Sequence, residues 1–104
     1  MENNQYVVKV SPKAAEDLDE IYEYISENLY NQDAANKLLN KIELGIKRLN
    51  RFPFSCELVT DEILRDRGYR RLIIENYIVF YLIKNKDVLI MRVLYGAQKY
   101  EDLV

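Results

Sequence analysis

The chain has 104 residues, net charge −2, one cysteine (Cys56), nine tyrosines, and neither histidine nor tryptophan. That length fits one domain, residues 1–104, with one core. It excludes an internal disulfide, a cysteine-based metal cluster, a histidine-ligated metal and any Ser-His-Asp or Cys-His mechanism.

Tyr6-Val-Val-Lys-Val10 reads as a short strand rich in β-branched residues. Ser11-Pro12 then opens a helix: the serine oxygen accepts a free amide, and proline at the first helical position loses no bond. Apolar residues recur at Ala14, Leu18, Ile21, Tyr22, Ile25 and Leu29, which is one buried stripe. Glu16, Asp17, Asp19, Glu20, Glu23 and Glu27 read as a solvated acidic face.

Tyr30-Asn-Gln-Asp33 interrupts the pattern, with Asn31 or Asp33 as cap for a second helix. Its stripe is Ala35, Leu38, Leu39, Ile42, Ile46 and Leu49, with Gly45 beside it as a point of close approach. Five bases against Glu43 occupy residues 37–51 and gather toward the C-terminal end, where the helix dipole favours cations. A connection of about four residues implies a helical hairpin.

Pro53 ends the second helix, because it disfavours helical geometry at Phe52. Residues 54–68 form a connecting segment, with Ile63 and Leu64 expected to pin it down. Three strands follow, over 69–74, 77–83 and 87–95. Alternation in the last puts Val88, Ile90, Arg92 and Leu94 on one face, and Leu89, Met91, Val93 and Tyr95 on the other. The middle strand sets Tyr77, Val79, Tyr81 and Ile83 against Ile78, Phe80 and Leu82. Neither strand has a polar face, so the sheet needs two covers. The hairpin supplies one. The tail Ala97–Val104 or a protein partner is expected to supply the other.

The pattern is therefore α+β in the order β-α-α-β-β-β, an antiparallel-dominated sheet with the helical hairpin on one face. No glycine-rich phosphate loop, cofactor motif or metal ligand set appears, so no cofactor is expected. No apolar run is long enough to span a membrane, and Met1-Glu-Asn-Asn-Gln lacks signal-peptide features. The expected location is the cytoplasm. The raw materials for RNA cleavage, in which a 2′-OH attacks its own phosphate, are Arg70 or Arg71, Arg92, Tyr81, Tyr95 and Glu75. Alternation puts Arg70 and Arg71 on opposite faces.

Beyond these readings, the chain resembles the RelE/ParE superfamily of bacterial type II toxin–antitoxin toxins. The resemblance rests on the element order, on Ser11-Pro12, on the Phe52-Pro53 segment, and on the spacing from Arg70 through Asn76-Tyr77 to Tyr81, followed by Val93-Leu-Tyr-Gly96. It implies a toxin of growth control or plasmid stabilisation, neutralised by a cognate antitoxin. Candidate antitoxin contacts are Leu18, Tyr22, Ile78, Phe80 and Met91. The assembly would be a homodimer or a toxin–antitoxin hetero-oligomer. RelE-like members cut mRNA on the ribosome; ParE-like members inhibit DNA gyrase. Here Ile78 and Gln98 stand where RelE-like toxins have arginine. Arg71 falls at a functional basic position, and Tyr95 falls where ParE-like and YoeB-like members often have histidine. One lost cationic donor removes roughly 2.7–4 kcal/mol of transition-state stabilisation. The resemblance thus points to a gyrase inhibitor, with Arg71, Arg92 and Tyr95 as weak catalytic candidates. The alternatives are a ribosome-dependent endoribonuclease and a degenerate member that only binds its antitoxin.

Overall fold

In the computed structural model, residues 5–28 and 30–96 are described. The elements are β1 (Val7–Val10), α1 (Pro12–Glu23), a π-helical turn (Tyr24–Asn28), α2 (Gln32–Arg48), α3 (Glu62–Asp66), β2 (Arg70–Ile74), β3 (Tyr77–Lys84) and β4 (Asp87–Tyr95). The four strands form one mixed sheet in the order β1-β4-β3-β2. β1 runs parallel to β4, and the other pairings are antiparallel.

Ser11 performs two tasks at the first turn. Its Oγ accepts from Ala14 N at 3.0 Å and donates to Met91 O at 3.0 Å, so one hydroxyl caps α1 and ties it to β4. The helix does not stop where its α pattern ends. A π turn prolongs it, and the chain then reverses at Tyr30, whose φ of 52° is left-handed. Asn31 caps α2 by accepting from Ala34 N at 3.0 Å. Leu29 of the expected stripe lies outside the described residues, as do Gln98 and the tail from Ala97 to Val104.

The hairpin lies on one face of the sheet, α1 against β4 and α2 against β2. Ala14, Ile21, Ile25, Ala35, Leu38, Ile42, Ile46 and Leu49 meet Val79, Tyr81, Val88, Ile90 and Val93 there. Burying each large aliphatic side chain contributes about 1.5–3 kcal/mol. Tyr81 is fully buried and donates its phenol hydrogen to Pro53 O at 2.8 Å, which fastens the end of the hairpin to the sheet. Gly45 is the point of close approach: a Cβ built there would meet Ile74 Cδ1 at 2.7 Å and Leu72 Cδ2 at 3.1 Å.

On the second face the connecting segment supplies part of the cover, a role not expected of it, and leaves Ile73 exposed. Val59, Leu64 and Tyr69 pack on Phe80 and Leu94, with Ile78, Leu82 and Met91 at the rim. Asp61 caps α3 through Leu64 N at 2.9 Å. Leu58 pairs with Arg70, and Arg71 N donates to Glu57 O at 3.1 Å, so the same segment also lines the edge of β2. Of the two residues expected to pin this segment, Leu64 is buried, whereas Ile63 points outward at 66% exposure. A five-residue helix presents one residue per turn to the sheet, and its neighbour faces solvent.

Alternation in β4 is also not as expected. The register runs Tyr81↔Ile90 and then Phe80↔Arg92, so Met91 is an extra residue in a β-bulge. Val88, Ile90 and Val93 share the helical face, and Leu94 turns to the other. Arg92 is thereby released from the core position that strict alternation assigns to it. Among the described residues, no helix is long and apolar enough to cross a membrane.

Gly45→Val should lower the denaturant midpoint, with the slope unchanged. The added methyls overpack Leu72 and Ile74 at about 1–3 kcal/mol, only partly offset by improved helix propensity. Gly45→Ala, which asks the Ile74 tip to move and Leu72 Cδ2 to give slightly, should cost less.

Candidate functional site

β1 covers β4 only from Asp87 to Ile90. Beyond that point the edge of β4 is met by a side chain. The Asp17 carboxylate accepts from Val93 N at 2.9 Å, from Arg92 Nε at 2.8 Å and from Arg92 Nη2 at 3.0 Å. Asp17 is 6% exposed, and the Arg92 side chain 13%. The acidic face of α1 is therefore not wholly solvated, because Asp17 belongs to the buried stripe. The hydrogen bonds to Asp17 raise the already high Arg92 pKa against the effect of burial, with Glu20 and Glu16 adding attraction. Arg92 is a permanent cation with a permanent partner.

Around this pair opens a groove of about 840 Å3 between α1, the π turn, the start of α2 and the ends of β3 and β4. Tyr24, Tyr77 and Tyr95 form its aromatic wall, Ile25 and Leu38 its apolar floor. Tyr77 and Tyr95 meet edge to face, with centroids 5.7 Å apart. Burial raises the Tyr77 pKa, and the neighbouring phenols of Tyr95 and Tyr24 raise it further. Glu75, held at φ 53° in the β2–β3 turn and paired with Lys41 on α2, closes one end.

The cleavage candidates are not gathered into one site. Arg71, Phe80 and Arg92 lie in a single cross-strand row, which puts the two arginines about 10 Å apart at the backbone. Phe80 sits between them. Arg71 pairs with Glu57 at 3.6 Å, Arg92 with Asp17, and Tyr95 packs on Tyr77 in the groove. Arg70 donates to Cys56 O at 2.6 Å and covers the Phe54 ring at 5.0 Å. Tyr81 is buried, burial pushes its pKa up, and its hydroxyl hydrogen is committed to Pro53 O.

The five candidate antitoxin contacts also divide. Leu18 and Tyr22 flank the helical-face core, while Ile78 and Met91 rim the opposite face. Phe80 is 3% exposed beneath its own chain and presents no surface to a partner. The groove residues Glu20, Tyr24 and Tyr77 were not among the sequence candidates. Their signal lay in an acid, Asp17, on an apolar helix stripe and a base, Arg92, at core parity in a strand. Two opposite charges at core positions mark a buried pair, and the groove opens beside it.

The sequence matches, over residues 8–100, the family described as the ParE toxin of the type II toxin–antitoxin system parDE. The fold is similar to that in a structure of the chromosomal ParDE toxin–antitoxin system from P. aeruginosa, with TM-score 0.74 and 25% identity over 89% of this chain and 98% of that one. It is also similar to a chain of the toxin–antitoxin complex RelBE2 from Mycobacterium tuberculosis, with TM-score 0.65 and 19% identity over 88% and 98%. A conserved hypothetical protein from Helicobacter pylori shares the fold at TM-score 0.56 and 14% identity over 89% and 97%. A search of curated proteins gives no match.

Asp17→Ala should destabilise the fold by about 3–5 kcal/mol, because it strands a largely buried guanidinium and the Val93 amide. The double variant Asp17→Leu/Arg92→Met should lose less than Asp17→Ala alone. Chemical denaturation of the three proteins measures the difference.

Proposed function

The chain belongs to the ParE toxin family of type II toxin–antitoxin systems, and on that premise we propose that it arrests growth by binding DNA gyrase in the cytoplasm and that a cognate antitoxin neutralises it in a hetero-oligomer. The observation that carries the reading is the engagement of Arg92 by Asp17. A guanidinium that already satisfies a buried carboxylate is not available to a phosphate in a transition state. The chain has no histidine, and Ile78 places an apolar side chain where a nuclease of this fold carries a cation. What remains suits recognition of a protein surface rather than catalysis. Similarity to the P. aeruginosa ParDE system supports an antitoxin partner, and the groove beside Tyr77 and Tyr95 gives that partner a seat.

Arg71 is the basic residue we assign to contact with the target. It lies on the face opposite the hairpin, its side chain is 27% exposed, and its pairing with Glu57 is a surface contact worth about 0–1 kcal/mol. Contact with gyrase costs it little.

Expression of the chain alone should arrest growth, and the purified protein should inhibit gyrase supercoiling without cutting mRNA on ribosomes. Codon-positioned cuts would overturn the reading, and unimpaired growth would reassign the chain to antitoxin binding alone. Arg71→Ala should weaken supercoiling inhibition about tenfold with little change in Tm. Undiminished inhibition by the folded variant would remove Arg71 from the site.

A further inference from the structure

Resting on that reading, we infer that the partner segment seated in the groove between α1 and the end of β4 is basic, presenting a lysine or arginine among aliphatic side chains. Three carboxylates, Asp17, Glu20 and Glu75, line the groove, against one guanidinium, Arg92. That guanidinium is consumed by Asp17, and Glu75 is paired with Lys41. Glu20 is left with no cation of its own among the described residues, and it lies close enough to Arg92 to raise its pKa. Elsewhere on α1, Asp19 and Glu23 are exposed, and Glu16 is paired with Lys13. A desolvated acidic partner would meet like charge on entry, at a cost that discriminates strongly against it.

The walls favour the same class of ligand. Tyr24, 53% exposed, stands with Tyr77 and Tyr95 on one side of the groove, and their phenols are close enough to influence one another. Aromatic faces beside a carboxylate attract a cation twice, through the ring quadrupole and through charge. The edges of Ile21, Ile25 and Leu38 take the aliphatic neighbours. The groove is also braced by contacts on both sides. Asp17 locks α1 to β4, and the Tyr77–Tyr95 edge contact holds the strand ends, so a segment entering it orders only itself.

Panning a phage-displayed random dodecapeptide library on the immobilised full chain tests this. Enriched sequences, resynthesised and measured by calorimetry, should carry lysine or arginine between aliphatic residues. They should bind Glu20→Gln and Tyr24→Ala at least tenfold more weakly, and Glu43→Gln, which removes a remote charge from α2, as well as the parent. Both groove variants change exposed side chains and should keep the parent Tm. No enrichment, enrichment of acidic or uncharged sequences, or binding indifferent to Glu20 and Tyr24 would overturn the inference. Growth arrest is read separately. A chain that arrests growth but selects acidic peptides loses this inference alone, and one that selects basic peptides without arresting growth loses only the toxicity.

Discussion

One carboxylate holds the arrangement together. β1 ends at Val10 because Ser11 must leave the sheet to cap α1, and from that point the edge of β4 has no strand beside it. Asp17, on the second turn of α1, returns to that edge and accepts three hydrogen bonds, two from Arg92 and one from the backbone of Val93. Hydrogen bonds to charged groups are worth about 1.5–3 kcal/mol each, but burying the two ions costs several kcal/mol apiece. The net contribution to stability is therefore small. The contribution to specificity is larger, since only one register of β4 presents Arg92 and Val93 N to the same carboxylate. The bulge at Met91 produces that register.

Once Asp17 is fixed, the rest of the site follows. α1 must cross β4 at a set height, which leaves the π turn beyond it over the strand end. The turn sets Tyr24 beside Tyr77 and Tyr95, and the three together wall the groove. The same contact removes Arg92 from any role as a free cation. A nuclease reading and a buried Asp17–Arg92 pair compete for one guanidinium, and the carboxylate within 3.0 Å holds it.

Much of this architecture was legible in the chain. Ser11-Pro12, Gly45 and the strand boundaries each carry a local signal and appear in place to within a residue, whereas α2 ends at Arg48, before the Phe52 that Pro53 constrains. The face assignments in β4 were not legible from alternation, because a single extra residue reverses the parity beyond it. The second cover was hidden for a different reason. Val59, Leu64 and Tyr69 are spread over a segment without regular period, and their burial depends on pairing with β2, a long-range contact that no local pattern encodes. The candidate contacts lie on both faces of the sheet. Leu18 and Met91 look equivalent as apolar residues, but the sheet lies between them. Phe80, read as available, is buried by the segment that sequence pattern left unassigned.

The partly covered second face also changes what a partner must do. A sheet lacking one cover would need its partner in order to fold, and binding would be inseparable from folding. Here the chain's own described residues bury Phe80 and Leu94 on the second face and leave Ile73 exposed, and the groove is bounded by contacts already made. A partner meeting such a surface spends little on ordering the toxin and gains from pre-formed aromatic and acidic walls. Affinity then depends on a few anchors rather than on total area, as at protein interfaces generally. The residues that supply those anchors, Glu20, Tyr24 and Tyr77, lie on the opposite side of the sheet from Arg71. Neutralisation through the groove therefore need not cover Arg71 directly. An antitoxin seated there would block the target either by extending past the edge of β4 or by bulk alone.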